Sequence, residues 1–345
     1  MAVHQVDPIR DPRWTEFVNE HPDSSVFHSP SWLQALQATY SYHPFAITTS
    51  PPGSKLRSGI LFCRVESWLT GNRLVSVPFA DHCELLVDDA ADRRELLGFI
   101  VSLLSRNEFK YAELRPMTKE PEDDCGFRLS RRYALHTLDL RPALDEILKK
   151  SHKTSIQQKI RRAQRQQLDY TEGNDSQHIH RFYQLLLLTR RRQKIPPQPL
   201  EWFHNLARYF GESLQIRLLL RGGQPIAAVL TLRWKNTVVD KYSCSHAQGN
   251  NLGCIPLLLW RVIEQAKKIG INTFDLGRSD CEGTGLVEFK DRWGSQRAEL
   301  KYWRLPSQSV STRDDWKLRV AGPIFAHMPD LFLAASGRIL YRHIG

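Results

Sequence analysis

A chain of 345 residues, 41% hydrophobic and 25% charged, has an ordinary soluble composition with enough apolar material for large cores, and its length predicts about two domains. Its 48 Lys and Arg against 37 Asp and Glu give a formal charge of +11, which favours anionic partners such as tRNA, sugar nucleotides, polyprenyl phosphates or an anionic membrane leaflet. Six cysteines without CxxC or zinc-ligand spacing, a start that lacks a signal-peptide pattern, and no apolar run of bilayer length predict a cytosolic protein with reduced thiols and no metal.

In chain order, Ser24 to Tyr40 puts Trp32, Leu33, Leu36 and Tyr40 on one face after a Ser-Pro start, which predicts an amphipathic helix. Strands over 58–65 and 73–78, turned by Gly71 and Asn72, lead into PFADHCELL (78–86). There Asp81, His82 and Glu84 crowd one loop, which suits proton removal from an ammonium group or else makes a plain hydrogen-bonded turn. A helix over 93–105 feeds a strand ending Glu113-Leu114-Arg115. The same order returns in the second half, where the closing strand reads Asp275-Leu276-Gly277-Arg278, and the repeat reads as an internal duplication.

A strand near 133–140 closes the first half. From Leu144 to Gln167 the pattern is helical, and between Lys149 and Arg165 it carries seven Lys or Arg and no acid. Such a run lines a phosphate channel, meets RNA backbone, or is a solvated face. Helices over 177–192 and 200–210 flank the basic tract Arg190 to Lys194 and the IPPQP break at 195–199; strands follow at 214–220, 225–233 and 237–243. Gln248 to Cys254 (QGNNLGC) is expected as a loop whose backbone N–H groups, at Asn250, Asn251 and Gly253, face a donor phosphate ahead of the helix opened by Pro256.

The segment 275–294, DLGRSDCEGTGLVEFKDRWG, parses as strand end, glycine-containing loop and short helix. Ligands sit beyond the carboxyl ends of strands in open α/β sheets, and this end offers Asp275, Arg278 and, one helical turn on, Lys290. A surface pair of Asp275 with Arg278 is the plain alternative. The tail from 307 is apolar and basic together, with breaks at Pro323, Pro329 and Gly337, and is expected to form helices that pack on the protein or rest on an anionic membrane.

FDLGRS, GLVEFKDRWG and the strand AELKYWRL resemble the FemAB-like branch of the GNAT-type N-acyltransferases, over about Val26 to Leu305. The resemblance implies two tandem GNAT-like α/β domains with mixed sheets, at 1–140 and 141–306, followed by a helical tail at 307–345. It also implies transfer of an aminoacyl or acyl group to an amine of a cell-envelope, peptidoglycan or exopolysaccharide precursor. The co-substrate is then aminoacyl-tRNA or acyl-CoA, with no bound cofactor. By the same resemblance Lys290 is the functional cation of FKDRWG. Asp275 and Arg278 would position substrate, and Asp81 or His82 would take the proton. Lys153, Arg161, Trp32 and Tyr242 complete the expected substrate contacts. No Ser, Cys or Thr adjoins a base, so direct transfer is expected. The CoA loop of ordinary GNATs, Gln/Arg-x-x-Gly-x-Gly/Ala, survives here only as Gly253, which favours the aminoacyl-tRNA donor. An acyl-CoA-dependent acetyltransferase and a catalytically silent binding protein of the same fold are the alternatives.

Overall fold

The computed structural model describes residues 2–106, 108–121, 125–281, 284–306, 325 and 328–344, and within these the chain forms two compact units. The first comprises 2–132, 300–306 and 339–344. Asp11, Ser29 and Asp89 accept backbone N–H groups at the heads of α1 (Pro12–Glu20), α2 (Pro30–Tyr40) and α3 (Ala90–Ser105), each satisfying donors that the first helical turn leaves without partners. The strands β1 (His4–Val6), β2 (His43–Thr48), β3 (Ile60–Val65), β4 (Arg73–Val75) and β5 (Tyr111–Leu114) pair in that order. All pairings are antiparallel except β4 with β5, whose parallel alignment needs the α3 crossover between them. Residues 303–306 of a later strand close the order on β5. Phe62, Leu74, Leu96, Ile100 and Leu114 belong to the core between α3 and the sheet.

The second unit, 133–299 and the described part of 318–338, repeats the plan. In chain order it holds β6 (Arg128–Asp139, from Tyr133 onward), α4 (Leu144–Lys150), α5 (Gln158–Gln164), β7 (Asp169–Gly173), α6 (Ser176–Arg192), α7 (Leu200–Phe210), β8 (Leu214–Arg221), β9 (Gln224–Trp234) and β10 (Thr237–Ser245). Then come α8 (Ala247–Leu252), α9 (Cys254–Lys268), β11 (Thr273–Asp280), α10 (Thr284–Asp291) and β12 (Gln296–Pro306), which carries the chain back to the first unit. Strands run in the order β6-β11-β10-β9-β8-β7, again antiparallel apart from one parallel pair, β10 and β11, bridged by α9. α9 is buried along most of its circumference, through Leu258, Leu259, Val262 and Ile263 among others, as its apolar sequence requires. Each unit thus centres on two parallel strands joined by a helix.

Five expectations change. The helix expected over 144–167 is broken: Ser151 caps α4, the His152 amide donates to the Arg292 carbonyl at 2.7 Å, and a π-helical turn (Lys153–Gln157) starts the chain again. The strand expected over 73–78 stops at Val75, and 24–40 is helical throughout only from Pro30, after a 3₁₀ turn at Val26–His28. QGNNLGC is not a loop, because α8 runs through it. The strand before Asp275 does not end there but continues to Asp280. Of the tail, 307–324 lies outside the described residues, while α11 (Asp330–Ile344) packs by one side, with Leu333 fully buried. No helix among the described residues is long and apolar enough to cross a membrane.

Candidate active site

The site begins with a bulge. β11 pairs with β6 at Asp275↔Thr137 and resumes at Arg278↔Leu135, so one extra residue stands on β11 opposite His136. Gly277 takes the turn with φ +73°, a conformation that a side chain strains. The Asp275 carboxylate accepts the Gly277 N–H at 2.7 Å, while Lys290 Nζ donates to the carbonyls of Gly277 and Arg278 at 2.8 and 3.2 Å. Asp275 and Lys290 are both buried, and the Arg278 guanidinium lies 4.3 Å above the Tyr133 ring. The structure therefore joins these three predicted residues through the backbone of the bulge, with Asp275 buried rather than on the surface.

The same bulge opens the sheet. β10 pairs with β11 only over 237–239 and 273–275, although both strands continue several residues further. Past Asp275 their facing edges part at the carboxyl ends of two parallel strands, where backbone N–H and C=O groups can engage an extended ligand.

One residue here was invisible to sequence reasoning. His136, on β6 opposite the bulge, has no exposed surface; its Nε2 lies 3.0 Å from the Asp291 carboxylate, and Nδ1 has no hydrogen-bond partner among the described residues. Burial pushes its pKa below the usual 6.5, with Lys290 adding to the effect and Asp291 opposing it. Burial and Lys290 thus disfavour the imidazolium, while Nε2 faces the Asp291 carboxylate. Asp291 also lies 3.6 Å from Arg297, which lines a cavity of about 230 Å³ with Tyr133, Ala134, Cys281, Val287, Ala298 and Glu299. No motif marks a histidine inside a strand; only its place two residues from Ala134, on the same face, ties it to this cavity.

The cationic run presents a second feature. Lys149, Lys150, Lys153, Lys159, Arg161, Arg162 and Arg165 are all exposed, and none forms an ion pair among the described residues. Lys149 and Arg161 stand at a cavity of about 210 Å³ whose other walls include Leu144, Leu148 and Trp260.

The remaining predicted positions fare differently. The amides of Asn250 and Gly253 donate to His246 and Asn250 carbonyls within α8, the Asn250 side chain accepts from Ser245, and the Asn251 carbonyl accepts from Arg162 at 3.1 Å. These residues form a closed turn rather than an open phosphate loop. Gly253 is needed for packing: at φ +82° its Cβ would lie 2.6 Å from the Lys159 carbonyl oxygen. Trp32 and Tyr242, expected as substrate contacts, are core residues; Trp32 packs edge-on against Phe27, and the Tyr242 hydroxyl accepts from Trp202 Nε1 at 3.0 Å. Asp81 and His82 belong to the first unit, where both are buried. The Asp81 carbonyl accepts the Tyr302 hydroxyl, and His82 meets Phe27 edge-on. Their neighbour Glu84 is committed to structure, accepting the backbone N–H groups of Leu85, Met117, Thr118 and Lys119. A cluster of His21, Asp23 and Asp88 has cation-ligand chemistry, but the Lys119 ammonium already bridges its two carboxylates at 2.8 Å each.

Residues 150–291 match the family described as acetyltransferase (GNAT) domain. No curated protein sequence matches the chain. Among solved structures, FemX superposes with a TM-score of 0.69 at 12% identity, over 89% of this chain and 97% of its own. The C-terminal domain of a putative lysylphosphatidylglycerol synthetase from Agrobacterium fabrum gives 0.55 at 14% identity, over 91% and 95%. A tandem GNAT protein from the clavulanic acid biosynthesis pathway gives 0.56 at 9%, over 90% and 100%. At such identities the likeness is one of fold. The second unit thus carries the match to the acetyltransferase (GNAT) domain, and the whole chain shares its duplicated fold with these structures.

Proposed function

We propose that the protein transfers an aminoacyl group from aminoacyl-tRNA directly to an amine of a cell-envelope or exopolysaccharide precursor. The observation that carries the donor assignment is the cationic face of α4, the π-turn and α5: seven exposed cations without ion pairs offer the extended contact that a polyphosphate backbone needs. The closed turn at Asn250 to Gly253 adds support, since its amides are spent internally and offer little grip on a CoA diphosphate.

Lys290 is the cation that stabilises the tetrahedral intermediate. It is buried and held at fixed carbonyls, so its charge is preorganised and needs no reorganisation as the oxyanion forms. Asp275 and Arg278 shape the bulge against which the acceptor lies. His136, oriented by Asp291 and enclosed in this structure, receives the proton that the acceptor ammonium must lose before attack once substrate binding opens the bulge to it, in place of Asp81 and His82 of the first unit.

Acyl-CoA is the second reading, favoured by the parting of β10 and β11, whose facing backbone edges suit an extended chain bearing amides. Incubating the purified protein with envelope-precursor extracts and either labelled aminoacyl-tRNA or labelled acyl-CoA separates the two. Label passing to an amine from charged tRNA alone supports the proposal, and label passing only from acyl-CoA overturns it.

A further inference from the structure

We infer that the last turns of α11, from Ile339 onward, together with the loop 66–72 of the same unit, form a docking surface for an anionic phospholipid bilayer. α11 is apolar on two opposite sides. Inside, Leu333 is fully buried, and Gly337 approaches the Pro197 carbonyl so closely that a Cβ would lie 1.9 Å from its oxygen. Outside, Phe332 is 66% and Ile339 63% exposed; seven residues apart, they share one stripe of the helix. Arg338 and Arg342 are exposed on the same helix and form no ion pair among the described residues. A helix packed on a globular protein turns polar residues to water, whereas one lying in a bilayer interface turns out large apolar side chains bordered by arginines.

The loop adds an independent observation. Trp68, at 85%, is the most exposed large hydrophobic residue among those described, and Leu69 beside it is 44% exposed. This exposure is held in place. The Thr70 hydroxyl and the Arg73 guanidinium donate to the His343 carbonyl at 2.7 and 2.6 Å, Ser67 Oγ lies 3.0 Å from His343 Nδ1, and the Trp68 ring meets the His343 ring edge-on at 5.4 Å. Trp68, Leu69, Ile339 and Arg342 therefore belong to one corner of the first unit, fastened by the last turn of α11. An indole suits the headgroup level, aliphatic side chains enter the acyl boundary, and arginines reach lipid phosphates. A chain of net charge +11 is drawn to such a surface, and Glu66 is the one carboxylate of the loop.

The test is co-sedimentation of the full chain with vesicles of phosphatidylglycerol plus phosphatidylcholine, and with phosphatidylcholine alone, at low and high salt. Salt-sensitive binding to the anionic vesicles is expected. Trp68→Ala/Ile339→Ser lowers the partition at least about tenfold, and Arg342→Gln lowers it roughly fivefold with a shallower salt dependence. Unchanged thermal unfolding shows that these exposed substitutions leave the fold intact. As a second readout, lipids with brominated acyl chains quench the wild-type tryptophan emission, and this quenching falls in Trp68→Phe. The inference is overturned if the wild type does not bind. It is equally overturned if Trp68→Ala/Ile339→Ser binds as well as the wild type, which would assign the affinity to the 149–165 cations. Wild-type self-association dispersed by that variant would make a second copy the occupant and would also overturn it.

Discussion

Replacing Lys290 by Met keeps the aliphatic stem and removes the ammonium, leaving the Gly277 and Arg278 carbonyls without the donor that now lies 2.8 and 3.2 Å away. A buried acceptor stripped of its partner costs about 1–3 kcal/mol; one of these bonds is buried and the other partly so, giving a loss of roughly 3 kcal/mol. For a unit of this size that is about 6–12 °C in melting temperature. Differential scanning calorimetry of wild type and Lys290→Met measures it, and single-turnover transfer on the folded variant measures the chemical role separately. Removal of an oxyanion-stabilising charge lowers the rate on the order of 10²–10³-fold. Lys290→Arg, which retains a cation, recovers part of the stability but less of the rate, because its planar donor fork does not fit two carbonyls on one side of a bulge. A melting temperature within about 2 °C of wild type for Lys290→Met would refute the reasoning that the ammonium holds the bulge.

Three further predictions follow from the same geometry. His28, buried and pushed down to about 4 chiefly by desolvation, accepts the Ser25 N–H at Nδ1 and so is neutral when folded. Because its folded pKa is depressed, its contribution is complete above 6.5 and is lost as pH falls toward 4; urea titrations across that window should show a loss of up to about 3 kcal/mol that His28→Gln largely removes. Gly253→Ala, with a Cβ 2.6 Å from the Lys159 carbonyl oxygen, should destabilise by about 2–4 kcal/mol, whereas Gly270→Ala, also left-handed but with nothing within 4 Å, should cost only about 1 kcal/mol; equal losses in chemical denaturation would show that packing at Gly253 does not matter. If His136 takes the proton, the transfer rate rises with pH through a pKa below 6.5, and His136→Gln removes that limb while Asp291→Asn shifts it; an unchanged pH profile in His136→Gln would exclude the role.

Much of the second half was legible because its signals are local. Pro256, Lys267, Lys268 and Gly270 punctuate α9 within two or three residues of its observed limits, and the β9–β10 turn falls at Lys235 and Asn236. Asp275, Arg278 and Lys290 were found together from spacing and resemblance, but their mutual arrangement was not, because a bulge is set by the partner strand and β6 lies far off in sequence. The Asn-Gly composition of 248–254 suggested a loop; the His246 cap and the contact of Gly253 with Lys159 fold it into a helical turn instead. Trp32 and Tyr242 looked like ligand contacts only because aromatic residues serve both cores and sites, and burial alone decides between those uses. His136 could not be found at all: its significance is a 3.0 Å approach to Asp291, 155 residues away.

The central claim, that charged tRNA is the donor and is gripped by the cations of 149–165, is tested most directly by the salt dependence of binding. Each phosphate neutralised contributes a slope of about −0.7 to −0.9 in log affinity against log salt, so four to seven contacts predict a loss on the order of 10²–10³-fold between low and physiological salt. Fluorescence titration of aminoacyl-tRNA against the wild type and Lys153→Gln/Arg161→Gln should give a steep slope that the variant reduces by about 1.5–2. Tight binding of acyl-CoA with little salt dependence, with no measurable binding of charged tRNA, would contradict the account.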